Sequence, residues 1–98
     1  MIMIFKWVFS HQIPCAAAIN GHSPAGGALL ATCCDYRAMV SSEKATIGLN
    51  EAKFGLVAPF WFMDSFRNVT GQREAEFALL NGKLYSVADA KSIGTTYY

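Results

Sequence analysis

INGHSPAGGALLA, the stretch from Ile19 to Ala31, lies between a small apolar run that begins at Cys15 and an apolar run that continues to Cys34. The first run reads as a short buried strand and the second as a helix, so the stretch is a strand-to-helix turn. Ser23 is a residue type that caps helix starts, and Pro24 suits the first helical position, where a missing N–H costs nothing. Gly26 is then expected as the third helical residue. Its N–H is among the four that a helix leaves unpaired, at the positive end of the dipole, with no side chain to hold a ligand away. Such a group can hold a negative oxygen. The turn alone reads first as a plain capped helix with close-packing glycines, so the rest of the chain has to decide.

The chain has 98 residues, of which 53% are hydrophobic and 15% charged. That is an apolar composition for a chain that buries only a modest fraction of its surface, so part of this surface is expected to lie against something outside it. Eight Lys and Arg face seven Asp and Glu, a net charge of +1 with no basic cluster. Nucleic acid is therefore not an expected partner. The cysteines, Cys15, Cys33 and Cys34, have no metal spacing and read as small reduced core residues. No Asp, Glu, Lys or Arg occurs from Trp7 to Cys34, but Gln12, Pro14, Asn20, Pro24 and two histidines argue against a membrane span. The start, MIMIFKWVF, has its charge inside the apolar run, unlike a signal peptide, and reads as the tail of a buried helix from Met1 to about Ser10. An opening of this kind is expected of a cut into a larger domain.

Further along, Tyr36 to Val40 and Ala45 to Leu49 are strand candidates separated by a polar turn. Asn50 and Glu51 follow, in an apolar neighbourhood of Ile47, Leu49, Phe54, Leu56 and Val57. A carboxylate there loses solvation, so its pKa is expected to rise towards the range where it serves as a base; the plain alternative is a surface glutamate at a strand end. Pro59 starts a helix that carries Phe60, Trp61, Phe62, Met63 and Phe66 and ends near Asn68. Its aromatics fit a core or the wall of an acyl pocket. After Gly71 a helix runs through Leu80 with Ala75, Ala78 and Leu79 inward and Arg73, Glu74 and Glu76 in solvent, stopped by Asn81 and Gly82. Ser86 and Asp89 form a capping box for a last short helix that ends by Gly94. With strands alternating with helices and no repeats or linkers, the fold class is α/β.

Three runs, AINGHSPAGGALLATCCDYR, IGLNEAKFGLVAPFW and TGQREAEFALLNGK, resemble the crotonase superfamily, also called the enoyl-CoA hydratase/isomerase family. Within it they look like the mitochondrial Δ3,Δ2-enoyl-CoA isomerases of fatty-acid β-oxidation. The resemblance covers about Lys6 to Gly94 and implies part of a crotonase-like ββα spiral core, truncated at both ends. Residues 1–98 would then be a partial domain, without the amino-terminal part of the core and the carboxy-terminal oligomerisation helices. By position, it makes Gly26 one of two oxyanion-hole donors, Glu51 the catalytic glutamate and Asn50 a substrate contact. Leu56, Val57, Phe60 and Trp61 would line the acyl side. The substrate implied is an acyl-CoA thioester, with no metal or redox cofactor. The family assembles as homotrimers, and the location implied is the mitochondrial matrix, with the peroxisome as alternative.

Hydratases of this family use two glutamates, and the position of the first is Leu29 here. A hydratase needs a second carboxylate to handle water, whereas an isomerase needs one carboxylate to lift a proton and return it elsewhere, so Leu29 favours isomerisation. The missing amino-terminal part would carry the other oxyanion N–H and most of the loop that holds the CoA adenine, and loss of one donor typically costs about a hundredfold to a thousandfold in rate. Two other readings of the sequence are a non-catalytic fragment that needs a partner to fold and an enoyl-CoA hydratase-like activity. GHSPA, Gly21 to Ala25, also approaches a serine-hydrolase nucleophile elbow. Pro24 lacks the oxyanion N–H that elbow requires, and both histidines, His11 and His22, precede Ser23.

Overall fold

The computed structural model describes residues 14–96, so the helix expected from Met1 to Ser10 lies outside the described residues. Strand β1 (Ala16–Ile19) leads through a two-residue strand β2 (Ser23–Pro24) into helix α1 (Gly26–Cys33), and β3 (Tyr36–Met39) returns beside β1. The pair is parallel, with Ala16 opposite Tyr36 and Ile19 opposite Met39, and α1 supplies the crossover that parallel strands require. A second small sheet has β4 (Thr46–Gly48) at its centre, parallel to β2 and antiparallel to β5 (Tyr85–Ser86). Helices α2 (Phe60–Thr70), α3 (Gln72–Asn81) and α4 (Val87–Ser92) complete the described chain.

The core lies where these elements meet. Ile19, Met39, Ile47, Phe66 and Tyr85 are buried there with Ala28 and Ala31 of α1 and Ala75 and Ala78 of α3. Small residues on both helices let the larger side chains meet at the centre. A buried hydrogen bond of 2.7 Å between the Thr32 and Ser65 hydroxyls joins α1 to α2, and the Thr32 hydroxyl also donates to Leu29 O at 3.0 Å. Both polar groups are thereby paired inside the core. The Arg37 guanidinium donates to Cys34 O at 2.6 Å and to Thr95 O, which pins the buried Thr95–Thr96 segment to β3.

Several local expectations hold. Pro59 is the N-cap of α2 rather than its first residue, its carbonyl accepting from Phe62 N at 3.0 Å. Gly82 ends α3 in the left-handed conformation, and Ser86 Oγ caps α4 by accepting from Asp89 N at 3.2 Å. Three expectations need correction. Ser23 and Pro24 do not open α1: they pair with Ile47 and Gly48, and the N-cap is Ala25, at φ 52°. The Ala25 N–H is drawn away to Gly48 O at 2.9 Å, so tertiary pairing overrides the local capping preference and moves the helix start two residues on. Glu74 is not a solvated charge, because its carboxylate accepts the Tyr85 hydroxyl at 2.5 Å. The cysteines are free thiols, but they are half-buried at the margin rather than in the core.

One glycine is demanded by close approach. Gly48 sits at φ 156°, and a Cβ there would lie 2.3 Å from Lys83 O on the chain entering β5. Only a residue without a side chain lets β4 and β5 come together at that point.

Candidate active site

Strands β2 and β4 run parallel with Pro24 opposite Gly48, so the segments leaving their carboxyl ends emerge at one edge of the sheet. From β2 comes Ala25 and then Gly26, the first residue of α1; from β4 come Leu49, Asn50 and Glu51. The Ala25–Gly48 hydrogen bond ties the two exits together. Topology therefore brings the glycine turn and the glutamate turn, separated by 25 positions in the sequence, to the same edge of the sheet, although Gly26 does not line the cavity that Glu51 lines.

At the α1 entry, the first intrahelical bond runs from Leu29 N to Ala25 O at 3.0 Å, so the N–H groups of Gly26, Gly27 and Ala28 have no acceptor within the helix. Among the described residues no side chain caps them, and the first turn holds no acidic residue. A Cβ built on Gly26 meets nothing within 4 Å among the described residues. Gly26 stands at the first helical position rather than the third expected from the sequence, so its N–H is still one that the helix leaves without an acceptor. Leu29, one turn on, is fully buried.

Glu51 begins a single 3-10 turn, Glu51–Phe54, with Asn50 at its N-cap and Gly55 closing it at φ 71°. Leu56 N donates to Glu51 O at 3.0 Å and Lys53 N to Asn50 O at 3.2 Å, which fixes the backbone on both sides of the glutamate. The turn rests on the end of α3, where Gly82 leaves room for Lys53 and Ala52. Both Glu51 carboxylate oxygens are shut off from solvent, and neither has a hydrogen-bond partner among the described residues. Burying a carboxylate without partners is costly, and such an exception calls for a functional reason. The group faces a cavity of about 260 Å³ whose wall is otherwise apolar, formed by Leu49, Ala52, Leu56, Val57, Ala58, Met63, Leu79 and Leu80. Among the described residues no donor ties up the carboxylate.

Among the expected acyl-side residues, Leu56 and Val57 line this cavity with Glu51, while Phe60 and Trp61 do not. Phe60 is 72% exposed, and Trp61 stands edge-on to Phe62 with ring centroids 4.7 Å apart. Asn50 is half-buried beside the glutamate. The wall contributed by Met63, Leu79 and Leu80 is not apparent from the sequence pattern. A trace of it exists in α3, where Phe77 and Leu80 are apolar residues on the outward side, 56% and 82% exposed. Among the described residues no group of three His, Cys, Asp or Glu side chains could hold a metal ion, and no helix is long and apolar enough to cross a membrane.

A family model described as enoyl-CoA hydratase/isomerase matches residues 3–97. The chain is 54% identical over 87 residues to the Mus musculus protein named enoyl-CoA delta isomerase 1, mitochondrial, covering 89% of this chain and 30% of that one. The Homo sapiens protein of the same name is 42% identical over 87 residues, covering 89% and 29%. The crystal structure of human mitochondrial delta3-delta2-enoyl-CoA isomerase superimposes with a TM-score of 0.92 at 40% identity, covering 95% of this chain and 36% of that one. This chain thus spans about a third of the length of these relatives.

Proposed function

Since the chain belongs to the enoyl-CoA hydratase/isomerase family, we propose that it carries the proton-transfer half of an enoyl-CoA delta isomerase site, converting 3-enoyl-CoA to trans-2-enoyl-CoA. The observation that supports this most directly is the Glu51 carboxylate, buried without partners in an apolar cavity at the edge where the α1 amides emerge. In this reading Glu51 takes a proton from C2 of the bound acyl chain, and the electron pair left behind delocalises onto the thioester oxygen. The Gly26 N–H donates to that oxygen as its charge develops. The same carboxylate then gives the proton to C4, and the double bond comes to rest between C2 and C3. Leu56 and Val57 hold the acyl chain and exclude water, with Asn50 as a polar contact beside the base; Phe60 and Trp61 would extend the acyl side beyond the cavity.

Every group used is a side chain or a backbone amide, so the proposal includes no metal or redox cofactor. Leu29 supports isomerisation over hydration, since a fully buried leucine supplies no second carboxylate to activate water. The relatives' names support a mitochondrial location, and we extend this to the matrix, with acyl-CoA as the partner and a homotrimer as the assembly.

One observation favours a second reading, a chain that is not catalytic by itself. Val57 and Leu80 of the cavity wall are 90% and 82% exposed, so the wall is open where a water-excluding site should be closed. Both readings are tested by giving 3-enoyl-CoA to the purified chain and following the absorbance of the conjugated 2-enoyl thioester, with Glu51→Gln in parallel. Turnover that Glu51→Gln lowers by about a hundredfold or more supports the isomerase. Equal turnover by the variant removes Glu51 from the role of base, 3-hydroxyacyl-CoA as main product replaces isomerase with hydratase, and no turnover by the wild type leaves the non-catalytic reading.

A further inference from the structure

Glu51 stands on a single 3-10 turn, and one turn has little rigidity of its own. Its carboxylate has no hydrogen-bond partner among the described residues, so its place is set by whatever holds the backbone of the turn. The helix packed on that turn is α3, at its carboxyl end. This end is a firm seat. Gly82 N and Lys83 N both donate to Ala78 O, the second at 3.0 Å, and Gly82 is buried in the left-handed conformation at φ 60°.

A left-handed position at a helix end accepts asparagine as well as glycine, so capping alone does not require Gly82. Close approach does. A Cβ there would lie 2.9 Å from Lys53 Cγ, 3.1 Å from Lys53 N and 3.5 Å from Ala52 Cβ. The exposed Lys53 side chain can swing aside, but Lys53 N is backbone and donates to Asn50 O at 3.2 Å, across the residue that carries the carboxylate. Any side chain at position 82 therefore has to push the turn away by a few tenths of an ångström. The last turn of α3 also supplies Leu79 and Leu80 to the cavity that Glu51 lines, so the carboxylate and its wall take their spacing from one helix end.

We propose that Gly82 is a positioning residue for the Glu51 carboxylate: its missing side chain lets the 3-10 turn settle on α3 at the depth that places the carboxylate in the cavity. The catalytic consequence rests on the isomerase reading, whereas the placement of the carboxylate does not. A misplacement of about 1 Å in a reacting group costs about a hundredfold in rate, so a few tenths cost on the order of threefold to tenfold in kcat. KM, set by contacts along the whole acyl-CoA, stays within about twofold.

Gly82→Asn adds the Cβ while keeping the left-handed cap, and Gly94→Asn is its control, at φ 83° with no contact closer than 3.6 Å among the described residues. Two readouts are taken on the full chain. One is the NMR resonance of the Glu51 carboxyl carbon, assigned by its loss in Glu51→Gln, together with the Lys53 and Leu56 amides; the other is kcat and KM for 3-enoyl-CoA. Gly82→Asn is expected to move these resonances and to lower kcat with KM kept, and Gly94→Asn to do neither. Adding Lys53→Ala to Gly82→Asn removes the nearest contact and should recover part of both. If Gly82→Asn does not fold, Lys53→Gly, which loosens the same seat from the side of the turn, must move the Glu51 resonance. Resonances that stay in place, or that Gly94→Asn moves equally, overturn the proposal, and so does a kcat that Gly82→Asn lowers no more than Gly94→Asn. A wild-type chain without turnover removes the isomerase reading instead, and the resonances alone then decide on Gly82.

Discussion

Replacing Gly48 with alanine isolates the contact that sets the spacing of β4 and β5, and through it the site. The new Cβ would stand 2.3 Å from Lys83 O and 3.2 Å from Leu84 Cα, both backbone atoms that cannot rotate away. A tolerable carbon–oxygen contact is about 3.3 Å, so the strands must part by about 1 Å. That weakens the pairing of Thr46 with Ser86 and of Ile47 with Tyr85, at about 1 kcal/mol for each hydrogen bond lost. Holding an L-residue at φ 156° adds about 1–2 kcal/mol. Together the substitution costs about 2–4 kcal/mol, a large part of a domain's usual stability of about 5–15 kcal/mol. Gly55→Ala is the matched control: φ is 71°, but a Cβ there meets nothing within 4 Å, so its cost is confined to backbone strain of about 1 kcal/mol. Urea unfolding followed by circular dichroism measures both. If Gly48→Ala loses no more stability than Gly55→Ala, the steric reasoning fails.

Gly26→Ala should separate folding from chemistry. The position is helical without left-handed φ and faces open space, so stability in urea should hold or rise by up to about 1 kcal/mol, while 3-enoyl-CoA turnover falls by about tenfold or more as the methyl crowds the thioester oxygen. Tyr85 has a hydroxyl pushed well above the usual tyrosine range, first by burial and then by its hydrogen bond to Glu74 and the nearby acidic charges. Its folded pKa exceeds its unfolded one, so its stabilisation is complete below the unfolded value of 10.0 and is lost as pH rises above it; ultraviolet titration of the four tyrosines should show Tyr85 ionising only with alkaline unfolding, and Tyr85→Phe should flatten that loss. Cys34, pushed up from 9.0 to about 11, should react with iodoacetamide at pH 8 roughly tenfold slower than a free thiol: its thiolate is about a hundredfold scarcer but more nucleophilic. Peptide mapping against pH measures this, and a rate equal to that of a free cysteine would contradict the burial of the thiol.

Much of the local structure is written in residues three or four apart. Ser86 caps α4, Gly82 ends α3, and the alanines at 75 and 78 mark the buried side of their helix, all of which follow from capping chemistry and period. The two turns that carry the site residues are visible in the same way, as a glycine turn at a helix entry and a glutamate amid apolar residues. Their meaning as a pair came from the resemblance of whole runs to a family, since composition alone left a capped helix and a surface glutamate open.

Tertiary structure decided what depends on partners far along the chain. Local chemistry put the α1 start at Ser23 and Pro24, but the pairing of those residues with Ile47 and Gly48 shifted it to Gly26. Glu74 lies on a helix face that reads as solvated, and only the return of β5 supplies its Tyr85 hydroxyl. The cavity wall from Leu79 and Leu80 lies 28 and 29 positions beyond Glu51, and Gly48 is intelligible only once Lys83 arrives beside it. The sequence by itself determined helices α3 and α4 with their caps, and the residue types at the site, because these rest on neighbours within one turn. The burial of Glu51, the edge it shares with Gly26 and the walls around it were decided by the fold, because a desolvated carboxylate exists only where distant segments close over it.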